Sequence, residues 1–155
     1  MKELLMNKIH VPMNQASNLI LLDTCFIIDC ISRSNKVNFS NTGITSFNIE
    51  ELLHVEHRLG HLKKPLRKFL KDTEFVIVDV PVSLGDWKAE KDFVKSVDSG
   101  LLQHIADASD AVLIATAVKT QSNVLTKDKH HLFTVELENF VRDWNVKVFK
   151  ELKDV

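Results

Sequence analysis

The stretch NLILLDTCFIID, residues 18–29, places one carboxylate between two apolar runs. The first run, LILL, is typical of a buried strand, and Asp23 follows it directly. Burying a carboxylate is costly unless another group pairs with it. Asp23 therefore either caps the element that follows or belongs to a site, and the rest of the chain has to decide between the two.

Four further short segments have strand character, and helical patterns lie between them. The five predicted strands are LILLD (19–23), GITS (43–46), EFVIVDV (74–80), NVLT (123–126) and VKVF (146–149). Most are continuously apolar, which indicates strands covered on both faces, as in a parallel sheet. The pattern predicts an α/β fold, a three-layer α/β/α sandwich with a central, mainly parallel five-stranded sheet. Residues 1–18 form an N-terminal extension, and residues 19–155 form the domain.

Composition narrows the class of protein further. The first 18 residues lack the apolar stretch of a signal peptide, and no apolar run approaches the ~18 residues of a membrane span. We therefore expect a cytoplasmic protein in which Cys25 and Cys30 are free thiols. Net charge is −1, which argues neither for nor against binding to nucleic acid. The basic segment 57–71 is open to two interpretations, a solvated helix face or a local contact with phosphate.

Four acidic residues fall where the carboxyl ends of the predicted strands meet: Asp23, Glu51, Asp110 and Asp128. Ligands of parallel sheets bind beyond that edge. Each acid also has a structural explanation, as a helix cap, as half of a capping box between Asn48 and Glu51, as a helix-start acid, or as a turn residue. We nevertheless expect the four to share a cleft, because all lie at the same end of the sheet.

Carboxylates gathered in one cleft repel one another, by about 4 kcal/mol for a pair at about 4 Å and an effective dielectric constant of about 20. Such a group persists when something compensates its charge. Hard oxygen ligands without histidine or cysteine suit Mg²⁺ or Mn²⁺. The residue types therefore predict a divalent cation.

Four motifs together resemble the PIN-domain nucleases, and among them the VapC-like toxin ribonucleases. They are LLDTCFII at the first strand, ITSFNIEELL around the glutamate, SDAVLIATA in a helix, and VLTKDKHHL after the fourth strand. Their order and spacing fit together, and the resemblance runs from about residue 19 to residue 149. It implies a PIN-like fold and Mg²⁺- or Mn²⁺-dependent hydrolysis of single-stranded RNA. A homodimer and an antitoxin protein partner are also implied.

The resemblance assigns roles to individual residues. Asp23, Glu51, Asp110 and Asp128 are the implied catalytic acids, and Asp23, Asp110 and Asp128 the implied metal ligands. Thr126 matches a hydroxyl position that supports the acidic cluster. Asp107 lies one turn before Asp110 and extends the cluster, while the adjacent Glu50 leaves the register of Glu51 open. The candidate contacts to substrate phosphates are Lys127, Lys129, Arg58, Lys63 and Lys64.

Other interpretations stay open at this point. A catalytically silent PIN-like module that binds RNA or protein has the same motifs. A receiver domain would use Asp79 as its phosphoacceptor, but the paired acids that it needs early in the chain are missing. His54, His57 and His61 recur at helical spacing without an obvious fourth zinc ligand, so we expect them at the surface. Trp87 is either a core residue or a contact for a partner.

Overall fold

A computed structural model describes residues 1–127 and 134–155 of the chain. The strands of this part are β1 (Ile9–Pro12), β2 (Ile20–Leu22), β3 (Thr42–Thr45), β4 (Val76–Asp79), β5 (Asn123–Leu125) and β6 (Val148–Phe149). The α-helices are α1 (Lys2–Met6), α2 (Thr24–Arg33), α3 (Ser46–Arg58), α4 (Lys63–Asp72), α5 (Trp87–Val97), α6 (Leu101–His104), α7 (Ala108–Thr120) and α8 (Val135–Arg142).

The six strands form a single sheet in the order β1-β4-β3-β2-β5-β6, and every pairing is parallel. Helices flank the sheet, so the predicted α/β class and the parallel sheet are confirmed. The strand count differs from the prediction, because five strands were expected and the structure has six. The sixth is β1, which belongs to the N-terminal extension.

Strand β1 pairs with β4 at one edge of the sheet, with Val11 opposite Val78. Its residues are mostly exposed, so it lacks the continuous apolar run that marked the other strands. Lys8, just before it, donates to the carbonyl of Thr73 at 2.9 Å, and its ammonium lies 4.6 Å from the centre of the Phe75 ring. The extension is therefore held against the entry to β4 by polar contacts that a hydrophobicity pattern does not reveal.

Alternate residues of the central strands bury into two separate cores, one on each face of the sheet. Leu21, Val78 and Val124 pack with α5, α7 and α8, whereas Ile20, Leu22 and Leu125 pack with α2, α3 and α4. Successive side chains of a strand point to opposite faces, so β2, β4 and β5 contribute to both cores, whereas β3 contributes Ile44 to one of them. This arrangement explains why these strands are apolar throughout.

Helix α7 is buried on nearly every side, as its sequence predicted. It follows the short helix α6 and ends just before β5, so its N-terminus lies at the carboxyl edge of the sheet. Helices α2, α3 and α5 follow β2, β3 and β4 and begin at that same edge. Four helix N-termini and their capping residues therefore meet where the acids were predicted.

None of the helices in residues 1–127 and 134–155 combines the length and the hydrophobicity that crossing a bilayer requires. The buried helix α7 has 13 residues, which at about 1.5 Å per residue span less than the hydrocarbon layer of a membrane. Its apolar character is explained by its place between the sheet and α5.

The packing of β1 gives a first prediction. Val11 is partly buried against the core on the α7 face, whereas Ile9 of the same strand is 69% exposed. We expect Val11→Asp to lower the free energy of unfolding by about 1–3 kcal/mol, because it places a carboxylate against apolar side chains. The matched control Ile9→Asp is expected to change it by less than about 0.5 kcal/mol. Urea denaturation of both variants measures the difference, and equal losses would contradict the packing described here.

Candidate active site

Asp23 lies between the end of β2 and the start of α2, and its two carboxylate oxygens have different partners. Oδ1 accepts the backbone N–H of Thr24 at 2.8 Å and so caps α2. Oδ2 accepts the hydroxyl of Thr126 at 2.7 Å and the thiol of Cys25 at 3.1 Å. Asp23 therefore caps α2, as one of the two alternatives predicted, and it also contacts a cluster of polar side chains.

Thr126 follows β5 directly and is fully buried. The backbone N–H of Asp23 donates to the carbonyl of Leu125 at 2.9 Å, and Leu22 is in register with Leu125. These backbone contacts bring the ends of β2 and β5 side by side, although Asp23 and Thr126 are 103 positions apart in the chain. Thr126, to which the resemblance gave a supporting role, thus donates a hydrogen bond to the Asp23 carboxylate.

Cys25 is the third member of this contact and was not predicted as a site residue. Its sulphur lies 3.2 Å from the Thr126 hydroxyl and accepts the backbone N–H of Lys127 at 3.2 Å. Burial, followed by the negative charge of Asp23, raises the pKa of the Cys25 thiol to about 12. At neutral pH the group is therefore a protonated thiol that donates to Asp23, and it does not act as a thiolate nucleophile.

Glu51, on the second turn of α3, faces the first turn of α2. Its Oε1 accepts the side-chain amide of Asn48 at 2.9 Å and the hydroxyl of Thr24 at 3.3 Å. The pKa of Glu51 is raised to about 7, and burial is the largest cause. The charges of Asp23 and Asp110 also raise this pKa, and the hydrogen bonds from Thr24 and Asn48 lower it by less. Glu51 is therefore within electrostatic reach of both Asp23 and Asp110, and these three residues are here named the acid group.

Asn48 connects the acid group to the sheet, and sequence reasoning missed this role. It is almost fully buried, accepts the Thr45 hydroxyl at 2.7 Å and donates to the Thr24 hydroxyl at 3.0 Å. The predicted capping box between Asn48 and Glu51 is wrong, because α3 begins at Ser46 and its cap is Thr45, which accepts from Asn48 N–H at 3.0 Å. A Thr three residues before Asn48 was the available signal.

The neighbours of the acids show which register the helices adopt. Glu50, next to Glu51, accepts the backbone N–H of Leu84 at 3.1 Å and so binds the loop after β4 instead of the other acids. Asp110 lies in the first turn of α7 and is half-buried, whereas Asp107 is exposed and caps the helix through the N–H of Ser109 at 2.8 Å. In this structure Glu51 and Asp110 face the cluster, while Glu50 and Asp107 have other contacts.

The ability of the acid group to bind a metal ion rests on its carboxylate oxygens. Within residues 1–127 and 134–155, no three histidine, cysteine or acidic side chains are arranged as a ready-made metal site. The predicted fourth acid, Asp128, and the predicted phosphate contact Lys129 lie outside the described residues. The oxygen donors of Asp23 and Asp110 fit Mg²⁺ or Mn²⁺, since Mg²⁺ needs only one or two carboxylates and keeps several of its waters.

The predicted basic contacts differ in their surroundings. Lys127 pairs with Glu151 at 2.9 Å and with Asp29 at 3.8 Å, and only 17% of its side chain is exposed. Arg58, Lys63 and Lys64 are exposed at the end of α3 and the start of α4. His54, His57 and His61 are exposed as well, as expected. Asp79 contacts His10 of the neighbouring strand at 3.4 Å, at the far side of the sheet from β5.

Comparison of the chain with models of protein families, with curated proteins and with solved structures found no match. The function of the acid group is therefore inferred from its own contacts and chemistry. These are a capped carboxylate, a buried amide and hydroxyl network, and a glutamate whose pKa lies near neutrality.

The pKa of Glu51 predicts a pH-dependent stability. A carboxyl whose pKa rises from 4.5 to about 7 on folding stabilises the fold at low pH, and this contribution is lost as the pH rises from about 4.5 through about 7. We expect Glu51→Gln to be more stable than the wild type by on the order of 1–3 kcal/mol at about pH 8, and the gain to shrink towards about pH 5. Urea denaturation in EDTA at both values measures it. Glu50→Gln, which removes a charge from the same helix outside the acid group, is the control, and a gain for Glu51→Gln that is the same at both pH values would contradict the prediction.

The hydrogen bond from Thr126 to Asp23 gives a second stability prediction. Thr126→Val preserves the shape of the buried side chain but removes the donor, and we expect it to lower the free energy of unfolding by about 1–3 kcal/mol. Thr116→Val in α7 is the matched control. Its hydroxyl only donates to the carbonyl of Val112 in the same helix, so the expected loss is smaller. Equal losses in thermal or urea denaturation would mean that the hydrogen bond to Asp23 stabilises the fold no more than the bond within α7 does.

Proposed function

We propose that this protein is a PIN-type endoribonuclease that hydrolyses phosphodiester bonds in single-stranded RNA with the help of Mg²⁺ or Mn²⁺. The observation that carries the proposal is the raised pKa of Glu51, which is caused in part by the charges of Asp23 and Asp110. Glu51 lies close enough to Asp23 and Asp110 for their charges to raise its pKa, at the edge where parallel sheets bind ligands, and a bound cation is the best explanation of such a grouping.

Asp23 and Asp110 are the proposed metal ligands among the described residues, and Asp128 is the proposed third. A divalent cation bound there would activate water for attack on a phosphodiester and stabilise the charge of the leaving oxygen. The contribution of the chain is preorganisation. Thr126 and the helix N-terminus at Thr24 fix the two oxygens of Asp23, and Asn48 fixes Glu51, which is placed to orient the attacking water.

The network around the acids supports a site held in one geometry. Asn48 contacts Thr24, Thr45 and Glu51, so one buried amide ties α2, β3 and α3 together. Buried polar groups with satisfied hydrogen bonds keep side chains in a single arrangement. Such rigidity is what positioning of a metal ion and its water requires, and a group of independent helix caps would not need it.

A second candidate function is a catalytically silent PIN-like module that binds RNA or a protein. It is favoured by one observation, the lack of a three-residue metal site within the described part of the chain. A homodimer and an antitoxin partner remain proposals from the family resemblance, and they apply to either candidate. The two candidates differ in metal binding, which makes calorimetry the deciding measurement.

We expect saturable Mn²⁺ binding by the wild-type protein in calorimetry, and at least about tenfold weaker binding for Asp23→Asn and Asp110→Asn. Asp110→Asn is also expected to abolish Mn²⁺-dependent cleavage of a single-stranded RNA while the protein stays folded, because it removes a ligand and also relieves repulsion. Asp107→Asn is the matched comparison, since asparagine caps a helix as well as aspartate does. It should weaken metal binding less than Asp110→Asn. Binding of RNA without Mn²⁺ binding or cleavage would instead support the silent module.

A further inference from the structure

Trp87 is the first residue of α5, and 74% of it is exposed. Tryptophan is on average one of the more buried residue types, so a ring left open to solvent on an ordered helix invites a functional explanation. Asp86 caps this helix by accepting the N–H of Ala89 at 3.1 Å, which fixes the backbone that carries the ring. The sequence left the role of Trp87 undecided, and its exposure excludes a core role.

Two contacts attach the segment around Trp87 to residues that neighbour the acids in sequence. Three residues before it, Leu84 donates its backbone N–H to Glu50, the neighbour of Glu51. Three residues after it, Glu90 accepts the hydroxyl of Ser109, the neighbour of Asp110. The segment that carries Trp87 is therefore attached on both sides of the ring to the two helices that carry Glu51 and Asp110.

Glu90 also determines which side of α5 faces the acids. It is fully buried against α7, and α5 packs closely on α7. Residues three apart on a helix differ by about 60° around its axis, so the Trp87 side chain leaves α5 close to the side that contacts Ser109. Trp87 therefore lies on the side of α5 that is nearer to the first turn of α7, the turn that carries Asp110.

The charges around Trp87 are mixed, since Asp86 is exposed and caps α5, Glu90 is buried against α7, and two lysines are exposed. Lys91 is four residues further on and shares a face of α5 with Trp87, and Lys88 is adjacent to it in sequence. Both lysines are exposed. An exposed aromatic ring with neighbouring cations is the arrangement by which proteins hold single-stranded nucleic acids, with the ring stacked on a base and the cations near phosphates.

We propose that Trp87 stacks on an unpaired base of the RNA strand at the rim of the acid group, with Lys91 near a flanking phosphate. This inference rests on the proposed function and adds the residue that selects the substrate. A base in a duplex has both faces covered by its neighbours, so stacking on Trp87 requires an unpaired nucleotide. The ring thus selects single-stranded over double-stranded RNA and holds the strand beside the carboxylates.

The test is RNA binding in the cleavage-deficient Asp110→Asn background, followed by fluorescence anisotropy with a short labelled RNA of mixed sequence. Trp87→Ala is expected to weaken binding of the single strand by about tenfold or more. Trp87→Phe, which keeps a stacking face, is expected to restore most of the affinity. The same RNA annealed into a duplex should bind equally to all variants.

Tryptophan emission provides a second readout, because the chain has only two tryptophans. With Trp144→Phe, Trp87 is the sole emitter, and saturation with the single-stranded RNA should quench its emission. With Trp87→Phe, the emission of Trp144 should stay unchanged at the same occupancy. A variant that has merely lost stability would not show this contrast between the two rings.

Two negative results have different meanings. If the single strand binds equally to Trp87→Ala and to its parent, the stacking inference is overturned while RNA binding stands, and a protein becomes the better occupant of the Trp87 surface. If no RNA binds to the parent or to the wild-type protein in EDTA, the proposed function fails and the inference falls with it.

Discussion

The arrangement of the candidate site depends on the parallel pairing of β2 with β5. The backbone bond from Asp23 to Leu125 and the register of Leu22 with Leu125 align the ends of two strands that lie far apart in the sequence. Only because of this alignment can the Thr126 hydroxyl meet the Asp23 carboxylate, and only then does Cys25 have both groups within reach. The same strand ends set the positions of α2 and its cap.

Burial and like charge explain why the acids form more than a set of helix caps. A carboxyl that only caps a helix is stabilised in its charged form, which lowers its pKa. Glu51 shows the opposite, because loss of solvent and the neighbouring charges outweigh two hydrogen bonds and raise its pKa. Asp107, at the same edge of the sheet, is exposed and its carboxylate accepts the N–H of Ser109 at the start of α7. Asp107 therefore serves to cap a helix, whereas the charged form of Glu51 is unfavourable unless a ligand compensates its charge.

Much of this architecture could be predicted from hydrophobic runs, since most of the strands are apolar and the helices between them are amphipathic or buried. Asp23, Glu51 and Asp110 could be placed because each follows a strand or begins a helix at the carboxyl edge. Strand β1 was missed because its residues are mostly exposed and it is held by pairing with β4. Asn48 was misplaced because the helix begins two residues earlier, at a cap that only the backbone reveals. Trp87 could not be assigned, because its exposure depends on how α5 sits on α7.

The distance in sequence between Asp23 and Thr126 affects when their contact can form during translation. The central strand β2 needs β5 as a partner, and β5 is made only after most of the chain has been synthesised. Contacts between such distant segments form late, because a long loop must close before they can stabilise anything. During translation the Asp23 carboxylate therefore has no Thr126 partner until residues 123–126 have been synthesised. A chain interrupted before that point would carry the first acids of the site but lack the strand that holds them in place.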